Sequence, residues 1–231
     1  MRTIAIAAAL ALVSPLAAPA AQVILTPGSV IGDTGSYNYP ATAHPGFFTA
    51  GSIFDQQSGP ITEPLQAGYW INGDNGPAAA FITIDLGAQR AGLSFDLFNT
   101  SNGGYNDRGT GNFSLVGANA VALDGANGFT LAGPVTTLVS ASLTAESGTG
   151  IHAAQSFTAV GGAFRYIQFR PTSVASAVPI CCGLINNYGL NEVRVFATDT
   201  VPEPAAWSLL IAGFALTGVA LRRRVLVHGA V

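Results

Sequence analysis

The chain has 231 residues, of which only 9% are charged, and it contains no lysine. Five arginines and all twelve acidic residues lie between Ala21 and Pro204, so that span carries a net charge of about −7 with no basic run. Nucleic-acid binding needs clustered Lys and Arg to displace counterions, and that class is excluded.

Taken in chain order, the first segment reads as a secretory signal peptide. Arg2 supplies the positive start, Ile4 to Val13 is an apolar run of ten residues, and Pro15 breaks the helix. Ala18 and Ala20 are the small residues that a signal peptidase inspects, which predicts cleavage after Ala20, with Ala21 as the alternative. The apolar run is too short to span a membrane. With both ends set aside, residues 21–199 are the size of one compact domain, and no internal repeat is present.

The body is patterned for strands. Ile82, Ile84 and Leu86 alternate with Phe81, Thr83 and Asp85; Leu93, Phe95 and Leu97 alternate with Ser94, Asp96 and Phe98. Ile167 and Phe169 alternate with Tyr166, Gln168 and Arg170; Val193 and Val195 alternate with Glu192, Arg194 and Phe196. Period two with one apolar face marks half-buried antiparallel strands. Residues 22–25, 112–116, 128–132, 136–139 and 155–160 are further strand candidates, separated by turn clusters such as Asn72 to Gly76 and Asn102 to Gly104. About eight strands without an amphipathic helix predict an all-β antiparallel β-sandwich or jelly roll.

Late in the body, Cys181 and Cys182 are adjacent. Neighbouring Cα atoms sit about 3.8 Å apart, closer than an ordinary disulfide prefers, so a strained vicinal bridge, two free thiols and bonds to another chain all stay open. Two thiolates alone are too few for a closed zinc site.

The last segment, residues 200–231, contains Ala205 to Leu221, 17 residues without a charge. At 1.5 Å per residue they reach about 26 Å, enough for a short transmembrane helix. Trp207 suits the membrane interface, and Arg222, Arg223 and Arg224 would hold their end in the cytoplasm.

Pro202-Glu203-Pro204, Trp207, the apolar helix and the Arg222–Arg224 cluster together resemble the PEP-CTERM sorting signal. The resemblance covers about the last 30 residues of the chain. It implies an exported protein, held in the inner membrane by the tail helix until an exosortase cuts near the Pro-Glu-Pro site. The body would then pass to the cell surface or the medium, in bacteria that make extracellular polysaccharide. Physically, Pro202 and Pro204 fix an extended segment just outside the membrane, accessible to such an enzyme.

The body carries IFDQ (53–56), GYW (68–70), AAFITIDLG (79–87), NDRGTGNFSLVGAN (106–119), RYIQFR (165–170) and GLNEVRVF (189–196) in that order. The ordered set resembles the galactose-binding-like, discoidin-type jelly roll, related to bacterial carbohydrate-binding modules, over roughly residues 22–198. That resemblance implies a structural calcium near the chain ends, with Asp55 and Glu192 among its ligands; a plain loop Asp and a solvent-facing strand Glu are the other reading. It also implies sugar-holding loops at one end of the sandwich, where Tyr105, Asn106, Asp107 and Arg108 form the most polar cluster; an Asx turn with a structural Arg108 is the alternative. Tyr69 and Trp70 suit either sugar stacking or the core.

His44 and His152 are the only histidines of the body, and no nucleophile elbow, zinc-protease motif or phosphate loop accompanies them. The expectation is therefore a non-catalytic surface or matrix protein with a glycan-binding role. The alternatives are a self-associating structural protein of the envelope or biofilm, and a polysaccharide-active enzyme, which needs two acids about 5–10 Å apart in a cleft.

Overall fold

The computed structural model describes residues 19–37, 48–55, 68–72, 79–100, 108–146, 152–175, 188–198, 211–214 and 216–217. By contacts the chain divides into two units between Thr198 and Asp199. The first unit is a sandwich of two antiparallel sheets. One sheet has the order β1-β13-β5-β10, built from Ala21–Val23, Glu192–Ala197, Ser94–Phe98 and Gln155–Thr158. The other has the order β2-β4-β11-β6-β9, built from Val30–Asp33, Ile82–Ala91, Ala163–Pro171, Asn112–Ala118 and Thr136–Ser142.

The alternation read from the sequence decides which side chains enter the core. Ile82, Ile84 and Leu86 of β4, Phe95 and Leu97 of β5, Ile167 and Phe169 of β11, and Val193 and Val195 of β13 are all buried between the sheets. Burying side chains of this size contributes about 1.5–3 kcal/mol each, the main force holding the layers together. Aromatic rings fill the centre: Phe113 lies 5.5 Å from Phe169, and Trp70 meets Phe169 edge-on at 6.4 Å.

Among the described residues the unit also holds two smaller pieces. Trp70–Ile71 (β3) pairs with Gly189–Leu190 (β12). Ala120–Leu123 (β7) and Phe129–Ala132 (β8) form a hairpin that folds over the outer face of the five-stranded sheet, touching β2, β4, β6 and β11. That outer face is polar. Arg165 grips Asp85 with two hydrogen bonds of 3.0 and 2.9 Å, and Gln168 donates to Thr83 at 2.8 Å and to Thr130 of β8 at 3.2 Å.

In the second unit, the described residues 211–214 and 216–217 are helical and exposed. Among the described residues no helix is long and apolar enough to cross a membrane. The expected signal helix and most of the tail helix lie outside the described residues.

Candidate functional site

One end of the sandwich collects buried polar groups. Asn99 follows β5 and has no exposed surface; its Nδ2 donates to the carbonyls of Thr110 and Thr144, both at 2.9 Å, and its Oδ1 accepts from the N–H groups of Thr100 (3.0 Å) and Thr110 (2.9 Å). A buried amide with every hydrogen bond made holds three chain segments in one arrangement. Thr110 extends the network, donating through Oγ1 to Gly189 O at 2.8 Å. Nearby, Asn72 N–H donates to Tyr188 O at 2.9 Å, and burial pushes the Tyr188 hydroxyl above its usual pKa.

Arg108 sits half-buried at this end, its Nη1 3.3 Å from the hydroxyl of Tyr69. Behind Tyr69 lies a small aromatic cluster: Phe48 meets Tyr69 edge-on at 5.0 Å, and Tyr37 meets Phe48 at 5.7 Å. A side chain at position 189 could not coexist with this packing, since its Cβ would fall 2.3 Å from Arg108 O. Glycine at 189 is therefore what lets the Arg108 backbone approach β12. Tyr69 and Trp70 are core residues, exposed by 1% and 0%, so neither offers a free ring face; Trp70 Nε1 donates to Gly35 O at 3.3 Å. Of the polar cluster expected to hold ligand, Arg108 is described; Tyr105, Asn106 and Asp107 lie outside the described residues.

Asp55 ends the 3-10 turn Ala50–Phe54, and its Oδ2 accepts from Gly68 N–H at 2.9 Å. That turn packs against β13, whose first residue is Glu192. Glu192 has no exposed surface, which corrects the solvent-facing alternative. It stands opposite Phe98 in the ladder, with Arg194 Nε 3.9 Å from its Oε1 and the Arg194 guanidinium over the Phe98 ring at 4.6 Å. Calcium takes six to eight oxygens, so these two carboxylates fit it only with backbone carbonyls added. Among the described residues no three His, Cys, Asp or Glu side chains cluster.

The remaining predicted positions lie mostly outside the described residues: Ala18, Cys181, Cys182, Pro202, Glu203, Pro204, Trp207 and Arg222 to Arg224. Ala20 is described and exposed, directly before β1. His152 is buried, its Nδ1 3.6 Å from Glu146. The Asn99–Thr110 network escaped the sequence reading; the one signal for it was an Asn-Thr pair directly after a clear strand.

Residues 200–224 carry the PEP-CTERM protein-sorting motif, found in exported, surface-directed proteins. No curated relative matches the sequence. Similar solved structures are carbohydrate-binding modules. A CBM32 module from Clostridium perfringens, in complex with GalNAc-beta-1,3-galactose, is 11% identical with a TM-score of 0.48, covering 77% of this chain and 100% of the module. The family 32 module of NanJ from C. perfringens, in complex with galactose, is 12% identical with a TM-score of 0.46, covering 77% of this chain and 99% of its own. A chitosan-binding module from Paenibacillus sp. IK-5, in complex with chitotriose, is 16% identical with a TM-score of 0.41, covering 72% and 97%.

Proposed function

We propose that this protein is exported, cut at its tail by an exosortase, and displayed on or shed from the cell surface as a non-catalytic binding module. The observation that carries the reading is the sorting motif over residues 200–224. Its sequence chemistry suits the role of a substrate: proline disfavours helix and two prolines flank Glu203, while Arg222 to Arg224 follow an uncharged stretch. On this reading a signal peptidase acts first, after Ala20. The test is the intact mass of the protein from cells with and without an exosortase. The expected masses are a form starting at Ala21 and lacking the tail in the first case, and one keeping the tail in the second; identical masses would end the proposal.

The ligand we propose is an extracellular polysaccharide, met at the Arg108 end of the sandwich. Support comes from a half-buried guanidinium beside a tyrosine hydroxyl, in a body that otherwise holds only four arginines. Arg108→Ala is expected to weaken sugar binding by about tenfold or more, since hydrogen bonds from a charged donor are worth about 1.5–3 kcal/mol. A glycan array that includes the producing cell's own polysaccharide and gives no hits would count against it.

Asp55 and Glu192 are proposed as carboxylate ligands of a structural calcium. Support comes from the packing of the 3-10 turn that ends at Asp55 against β13, whose first residue is Glu192. A saturating ion at about a hundred times its Kd adds about 2.7 kcal/mol to stability, so chelation should lower the melting temperature by several degrees. A melting temperature indifferent to calcium and chelator would remove this part.

A further inference from the structure

The β7–β8 hairpin has one apolar face and one face of small and polar side chains. The hydroxyl of Thr130 accepts from Gln168 of the sheet beneath, and the period of two puts Ala120, Ala122 and Ala132 on the face of Thr130, where Ala120 and Ala122 stay exposed and Thr130 and Ala132 are half-buried. The opposite face carries Val121 paired with Leu131 and Leu123 paired with Phe129. Leu123 is 74% exposed and Phe129 38%. Val121 and Leu131 are half-buried, so the exposed apolar surface of the hairpin lies at its Leu123–Phe129 end.

The edge of β7 fixes what chemistry can cover this face. Asp124 N–H donates to Gly128 O at 2.7 Å, and Asn127 N–H to Asp124 O at 2.9 Å. That closing pair sets the phase of the ladder. Ala122 and Ala120 exchange bonds with Thr130 and Ala132, so the N–H and C=O groups of Val121 and Leu123 point away from β8. Among the described residues no strand pairs with β7 on that side. The strand, Ala120-Val121-Ala122-Leu123, has none of the charges, prolines or bulges that protect an edge.

We propose that β7 is a self-association edge, pairing antiparallel with β7 of a second copy about a two-fold axis at Ala122. In this register Val121 lies opposite Leu123 of the second copy, and Leu123 opposite its Val121. The residues with outward backbone groups meet each other, and an apolar pair forms twice. Ala122 meets its own copy in the close, non-bonded position, where a small side chain suits the approach. A sugar would leave the ladder unpaired, and an unrelated strand would lack the symmetric match. The edge is short beside the roughly 1,000 Å² that a lasting interface buries, so the pairing is weak and gains its effect where many copies share one surface. It does not depend on glycan binding.

The test uses cysteine pairs in the exported form purified from producing cells, with the parent protein, which keeps Cys181 and Cys182, as reference. Ala122→Cys should give a disulfide-linked dimer on mild oxidation, because the axis sets two copies of position 122 face to face. Ala120→Cys, which falls opposite Asp124, should not. Adding Leu123→Lys to Ala122→Cys should abolish the dimer, and Leu123→Lys alone should shift association in sedimentation to at least about tenfold higher concentration. Position 123 is exposed, so this variant should fold as the parent does. Equal cross-linking at 120 and 122, a dimer that survives Leu123→Lys, or a parent protein that stays monomeric at every concentration would overturn the proposal. Sugar affinity measured on the same variants should not change, which separates this edge from the Arg108 end.

Discussion

Two titratable residues of the sandwich respond to pH in separate windows. Burial holds the His152 imidazole below its ordinary value of 6.5, while Glu146 beside it pulls the other way. With the folded value depressed, the unfolded chain takes up the proton first as the pH falls. The contribution of His152 is therefore complete above its ordinary value and lost as the pH drops through about 6.5 toward the folded value. Asp85 acts lower on the scale. The hydrogen-bonded Arg165 guanidinium keeps its carboxyl below the usual range, and its contribution is present above the ordinary carboxylate value and lost only in acid. It is a surface pair and its effect is small. The expected outcome is a melting temperature that is flat above neutrality and declines below about pH 6.5. In His152→Gln that decline should disappear; an equal decline in the variant would assign the pH response to other groups.

At the level of elements, strands with one polar face and one apolar face were legible because a period of two is visible wherever polar and apolar neighbours alternate. β4, β5, β11 and β13 are of this kind. β7 was not legible, since Ala120-Val121-Ala122-Leu123 holds no polar residue and so shows no alternation of polar and apolar neighbours. β3 and β12 are two residues each, too short for any period, and exist because Trp70 and Leu190 are pinned by the packing around them. β2 hides beside glycine for a different reason. A Cβ on Gly32 would lie 2.1 Å from Phe129 O, so the hairpin rests on bare backbone there, a contact between segments far apart in the chain. The site divides the same way. Arg108 could be named from its polar neighbourhood, but its partner Tyr69 and the Asn99 strut are brought to it by topology. The burial of Glu192 was hidden because its strand neighbours suggested a wet face, and only the tertiary packing shows which end of β13 is covered.

For the whole molecule, the order of the strands constrains the order of maturation. Among the described residues β1 lies at the edge of its sheet and pairs only with β13, Ala21 opposite Ala197 and Val23 opposite Val195. β13 is the last strand of the body and the one that joins β1 to β5 while burying Val193 and Val195. β1 therefore cannot dock until nearly the entire body is available. On the proposed export route the bond to be cut, Ala20–Ala21, ends at the first residue of that ladder, and a protease cleft needs the chain on both sides extended and unpaired. Signal-peptide removal should then precede closure of the four-stranded sheet. Full-length precursor refolded before exposure to signal peptidase should resist cleavage, whereas unfolded precursor, or a Val195→Asp precursor whose core cannot close, should be cut. Inserting Gly-Ser-Gly-Ser after Ala20 should restore cleavage of the refolded form by moving the bond clear of β1. Equal cleavage of the refolded and unfolded parent would mean that three residues holding one buried valine fray faster than the enzyme cuts, and the sandwich would then impose no order on its own processing.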